Sequence, residues 1–173
     1  LFNYLLQLGD NSLILGQRLS EWCGHGPILE QDIALSNIAL DQLGQAKNWL
    51  EYAARIEGKD RNEDDLAFLR NAWEYRNVLL VEQPNKDWAH TIIRNFLYDA
   101  FNFYLNSELI NSTDSQIAAI ASKSLKEITY HLRYSSEWTI RLGDGTQESH
   151  ERMQTALDNL WMYKGELFEM SAA

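Results

Sequence analysis

The stretch LKEITYHLRYSSEW at 125–138 holds Glu127-x-x-Tyr130-His131. A carboxylate followed three residues later by histidine is half of the ligand set of a carboxylate-bridged di-iron centre, because i and i+3 share one face of a helix. Here tyrosine takes the third place and histidine follows one residue late. One residue rotates a helix by about 100°, so His131 is displaced from the ligand direction. Three further acids lie deep in helical stretches: Asp10, Asp41 and Asp99. Asp10 sits between Leu6 and Leu13, and Asp41 shares a stripe with Ala34, Asn37 and Gly44. Asp99 shares one with Ile92, Phe96 and Phe103, and Glu127 with Ile120, Tyr130, His131 and Tyr134. These stripes read as at least partly core-facing. A carboxylate inside a core is costly unless it is paired or bound to metal.

The elements that must carry these acids are helices nearly throughout, with no strand-like alternation. The spacing predicts helices over about Phe2–Cys23, Ile28–Glu57, Asp87–Asn111, from the caps at Ser112-Thr113-Asp114 to about Leu142, and Gln147–Glu169. Shorter helical pieces cover about Asp64–Val81, and Glu82-Gln83-Pro84-Asn85 is a turn. Gly24-His25-Gly26-Pro27, Gly58 and Gly143-Asp144-Gly145 break the pattern. Four long helices in two hairpins plus extra helices make an all-α bundle. If each hairpin folds about its turn, Asp10 and Asp41 are level, as are Asp99 and Glu127.

A di-iron bundle takes a Glu from each of two helices and Glu-x-x-His from each of the other two. The corresponding places here read Asp10, Asp41-x-x-Gly44, Asp99 and Glu127-x-x-Tyr130. Both histidines are missing, and glycine cannot ligate. Three readings stay open. The acids are satisfied by Arg, Lys or Tyr neighbours in an ordinary bundle. Alternatively, a di-metal scaffold has lost its metal to a polar network, with Lys47, Lys126 and Arg133 as counter-charge. In the third reading a metal still binds through Asp10, Asp41, Asp99, Glu127 and a displaced His131, as in a divergent oxidase or oxygenase.

Composition narrows the remaining classes. The 173 residues suit one domain, and 45% hydrophobic content suits a sizeable core. A net charge of −10 argues against nucleic acid and anionic lipid as partners. No apolar run is long enough to span a bilayer, and the single Cys23 fits a reducing cytoplasm. The missing initiator Met and the end at MSAA are expected of a trimmed chain, with more sequence at the C-terminus.

Other chemistry-bearing residues read as scaffold. Cys23-Gly24-His25 has no third partner and falls at a helix end. His90 and His150 are placed at helix exteriors or ends without an acid at ligand spacing. The 6 Trp, 8 Tyr and 6 Phe are mostly core, and any surplus outside marks a protein interface. Trp73–Asn85 packs Glu, Arg, Asn and Gln around an apolar run. It is either a crossover capping the bundle end or a polar patch for a ligand or partner.

Together, LQLGDNSLILGQRLSEWCGHGPILEQDIALSNIALDQLGQA, NVLLVEQPN and SLKEITYHLRYSSEW resemble the C-subunit family of the bacterial phenylacetyl-CoA epoxidases, over essentially the whole chain. The resemblance implies a ferritin-like fold and a place in a multicomponent monooxygenase. That assembly epoxidises the ring of phenylacetyl-CoA with oxygen and reductase-supplied NADPH electrons. It implies that the di-iron site belongs to a catalytic A subunit, with no cofactor in this chain, whose part is structural and non-catalytic in a hetero-oligomer. Self-association remains open to the chain alone. It also implies ligand contacts at Glu74, Tyr75, Arg76 and Asn77, which would let the chain touch phenylacetyl-CoA. Arg70 and Arg76 are then the cations for its phosphates.

Overall fold

Apart from the first, the long helices begin or end where the sequence supplies a partner for their orphaned backbone groups. The computed structural model describes residues 1–169, which divide into two compact units, Leu1–Glu82 and Gln83–Glu169. Each unit is built on one helical hairpin. The described residues contain no strand. The fold class is all-α and of the ferritin-like kind, and the additional helices are short.

In the first unit, α1 (Phe2–Ser20) packs against α2 (Leu29–Glu57). The connecting turn uses Gly24 in the left-handed region (φ 79°). Asp32, in the first turn of α2, accepts from the Gly26 N–H at 3.0 Å. Gly58 ends α2 at φ 67°, its N–H bonded to the Ala54 carbonyl, the left-handed termination that glycine adopts without a Cβ clash. Leu5, Leu15 and Leu19 of α1 and Leu35, Ile38, Leu50 and Ala53 of α2 are buried, each of the larger side chains contributing about 1.5–3 kcal/mol. The α1 backbone comes close to α2 at Gly9, where a Cβ would stand 2.7 Å from the Leu50 side chain at Cδ2, and at Gly16, 3.3 Å from the Ala39 carbonyl oxygen.

Those contacts set the register. Gly9 lies against Trp49 and Leu50, and Gly16 against Ala39 and Leu43. Asp10 is therefore level with the stretch near Asn48, roughly two turns beyond Asp41. The first turns of α2 run on past the end of α1, which is why Ile28, Leu29 and Ile33 are exposed and burial begins at Leu35.

Three short pieces follow: α3 (Glu63–Phe68), a 3₁₀ turn at Ala72–Glu74 and α4 (Leu79–Glu82). An Asn62–Asp65 capping box opens α3. The second unit pairs α5 (Trp88–Leu109) with α6 (Ser115–Gly143), and α7 (Gln147–Leu160) packs on both. Asp87, Asp114 and Thr146 cap these three helices through the N–H groups of His90, of Gln116 and Ile117, and of Ser149. The final predicted helix is shorter than its pattern, because Trp161–Phe168 tightens into 3₁₀ turns.

Candidate functional site

Asp10 is fully buried on α1, and its carboxylate is fully engaged. It accepts from Arg70 Nη1 at 3.0 Å, from Arg70 Nη2, and from the Arg76 backbone N–H at 2.8 Å. The Arg70 side chain is only 3% exposed. This is a bidentate charge-assisted pair, the geometry in which guanidinium and carboxylate bind most strongly. Counter-charge thus comes from Arg70. Lys47 instead pairs with Glu63 at 3.7 Å, and Arg133 with Glu137 at 2.9 Å.

The spacing-derived positions on α2 and α6 are displaced from the inward faces. On α2, Gly44 is exposed and Asp41 half-buried, while Gln42 and Gln45 are buried at i, i+3. On α6, Tyr130 is exposed and Glu127 half-buried, while Ile128 and His131 occupy the buried i, i+3 pair. The stripe Ile117, Ile120, Ala121, Ser124, Ile128, His131, Ser135 explains why. Its apolar members choose the inward face, and that choice carries His131 in and Tyr130 out. The one-residue displacement of histidine is therefore relative to Glu127 and not to the core.

Asp99 is buried on α5 and meets α6 at Ser135, whose hydroxyl donates to Asp99 Oδ2 at 2.8 Å. Ser135 lies roughly two turns beyond Glu127, so equal distance from the turn misplaces this level too. Burial pushes the Asp99 carboxyl up to about 6, against the opposing pull of His131, the Ser135 hydroxyl and Arg94. Burial and the nearby Tyr130 raise the Tyr134 phenol as well.

These donors do not fit a di-iron ligand set. Asp10 has its oxygens bound by Arg70 and a backbone amide, and the inward i, i+3 places hold Gln42 with Gln45 and Ile128 with His131. Among the described residues no group of three or more His, Cys, Asp and Glu side chains could hold a metal ion.

The segment 70–78 is the other candidate, and Asp10 reaches it. Arg70 Nη1 also donates to the Glu74 carbonyl at 3.2 Å, and its guanidinium lies 4.4 Å from the Tyr75 ring centre. The Tyr75 hydroxyl donates to the Ala67 carbonyl. The Val78 N–H donates to Asn11 Oδ1 at 2.8 Å, and Asn77 Nδ2 to Glu82 at 3.0 Å. The Asn71 backbone N–H and side-chain amide hold the Glu74 carboxyl below its usual range. The side chains of Trp73 and Arg76 face outward, Trp73 being 82% exposed. Of the two arginines singled out for phosphate contact, Arg70 is committed internally and Arg76 is the one presented at the surface. The sequence offers no local sign of this, since Asp10 and Arg70 are far apart in the chain.

The histidines also sort themselves. His90 is buried and has an acid after all: its Nδ1 is 2.7 Å from Asp87 Oδ1, and its Nε2 is 3.2 Å from Asn159 Nδ2. His25 bonds the Cys23 carbonyl in the turn after α1. No helix among the described residues is long and apolar enough to cross a membrane.

Comparison with known proteins bears on these arrangements. The family model described as phenylacetic acid catabolic protein matches residues 1–173. The chain is 52% identical over 166 residues to the C-subunit of the 1,2-phenylacetyl-CoA epoxidase of Escherichia coli K12. That match covers 96% of this chain but 66% of the relative, so the chain spans just under two thirds of its length. A full-length family match and a relative at this identity have one consequence: the chain belongs to the phenylacetic acid catabolic protein family.

Proposed function

We propose that this chain is a non-catalytic, structural subunit of a cytoplasmic phenylacetyl-CoA epoxidase, supporting a separate di-iron catalytic A subunit in a hetero-oligomer. The observation that carries the reading is the donor set: Asp10 is bound by Arg70 and the Arg76 N–H, and glutamine, isoleucine and a single histidine stand at the inward i, i+3 places. The ring-epoxidising chemistry then belongs to the partner. Leu29, Leu40, Trp73 and Tyr104 are large apolar side chains left exposed, the kind of area that a subunit interface buries. The outward Arg76, with Glu74, Tyr75 and Asn77, is the part of this chain that touches the CoA thioester. The rival reading, a di-metal oxidase active alone, draws only on the burial of Asp99 near His131.

The test has two arms. Protein purified from iron-supplemented cells is expected to carry metal well below one equivalent and to show no turnover. Added to catalytic and reductase components, it is expected to stabilise the catalytic partner and its epoxidase activity. Roughly two equivalents of iron, as a di-iron set requires, would overturn the reading. So would a stable, active oxygenase assembled without this chain.

A further inference from the structure

We propose that Asp10, acting through Arg70, is a positioning residue that holds the 74–78 backbone in the shape that presents Arg76 to the phosphates of a CoA thioester. The proposal rests on the reading of Glu74–Asn77 as a ligand contact. It also gives Asp10 a role unrelated to metal.

The physical case begins with the weakness of the segment itself. Residues 69–78 contain one 3₁₀ turn, at Ala72–Glu74, and Tyr75 beyond it is extended. Its own hydrogen bonds cluster at Asn71–Tyr75 and leave the backbone from Arg76 to Val78 without a helical or strand ladder, and such a stretch is costly to order, about 1–2 kcal/mol per residue. Three anchors from beneath offset that cost. Asp10 takes the Arg76 N–H directly. Arg70, fixed by the same carboxylate, takes the Glu74 carbonyl and lies against the Tyr75 ring. Asn11, the next residue of α1, takes the Val78 N–H.

Backbone groups of the segment are held by a buried acid, a buried guanidinium and a buried amide, while the Arg76 side chain is left outside. A surface cation on a fixed backbone binds an anion without first having to be ordered, which raises affinity by lowering the ordering cost.

A single substitution of Asp10 would strand the Arg70 charge and could unfold the chain. The informative variant is therefore Asp10→Leu with Arg70→Met, which removes both charges together. Leu35→Ala in the α1–α2 core serves as the control for lost stability. Two readouts are taken on folded protein: exchange of the Arg76 amide hydrogen, and calorimetric binding of phenylacetyl-CoA. In the double variant the Arg76 amide is expected to exchange at least about tenfold faster, and affinity to fall about tenfold. The control is expected to move neither. A double variant with wild-type exchange and wild-type affinity overturns the proposal, as does a control that weakens binding equally. Absence of phenylacetyl-CoA binding by the wild-type chain instead overturns the ligand reading on which the proposal rests, while the exchange arm still reports whether Asp10 holds the segment.

Discussion

Asp10 and Asp99 are both buried acids in the middle of long helices, one in each unit, and their surroundings differ in kind. Asp10 has a guanidinium in bidentate contact and a backbone amide on the same carboxylate. Asp99 accepts from the neutral Ser135 hydroxyl, and the charges of His131 and Arg94 favour its ionised form. The first is an ion pair that ties α1 to an irregular segment. The second bears a desolvation cost that its neighbours only partly offset, so its carboxyl rises to about 6. A buried carboxylate is therefore not one kind of object. Its partner decides whether it secures the structure or strains it.

The largest expected effect breaks the first half of this contrast. Asp10→Ala leaves the Arg70 guanidinium buried and unpaired, with an expected stability loss of about 3–5 kcal/mol. Urea unfolding measures it. A loss below about 1 kcal/mol, the value of an exposed pair, would mean that the Asp10–Arg70 contact has no special weight.

Asp99→Asn is expected to act in the opposite direction. A folded carboxyl near 6 against an ordinary 3.8 means that the native state holds the proton more tightly than the unfolded chain. The stability associated with protonated Asp99 is fully present below about pH 4 and is lost as pH rises through about 6. At about 1.4 kcal/mol per pH unit over that span, the loss is about 3 kcal/mol. The variant should be more stable than wild type at pH 7 by up to that amount and should flatten the decline between pH 4 and 6. Unfolding curves at pH 4, 5, 6 and 7 check this, and an unchanged pH profile would remove the strain assigned to Asp99.

The smallest effect sharpens the comparison by exclusion. Glu127 is half-buried beside the inward stripe of α6. Glu127→Ala is expected to cost less than about 1 kcal/mol and to leave metal content as it is in the wild type. Elemental analysis of both proteins checks this, and a metal present in the wild type and lost in the variant would revive the di-metal reading.

Helix identity and most helix starts were legible locally, whereas the ends of the first and last helices were not. Asp87, Asp114 and Gly58 do in the structure what their residue types announce, because capping depends on neighbours a few residues away. The family resemblance was legible in three quoted blocks, and the full-length family match agrees with it. Heights and directions were not. The level-turn assumption failed in both hairpins by roughly two turns. In the first, Gly9 against the Leu50 side chain and Gly16 against the Ala39 carbonyl seat α1 on α2, whatever the midpoint of the loop. The inward face of α6 was misjudged at Tyr130, since a polar motif weighs less than the stripe of Ile117, Ile120 and Ile128 in choosing which side is buried.

Composition, periodicity and capping thus settled an all-α chain with long helical hairpins, and motif content pointed to its family. All of these are properties of residues within a few positions of one another. The partner of Asp10, the inward place of His131 and the outward aim of Arg76 were decided by tertiary structure alone. Each depends on which distant side chain arrives at the same point, and loop path, helix offset and core packing set that jointly, far beyond the reach of local spacing.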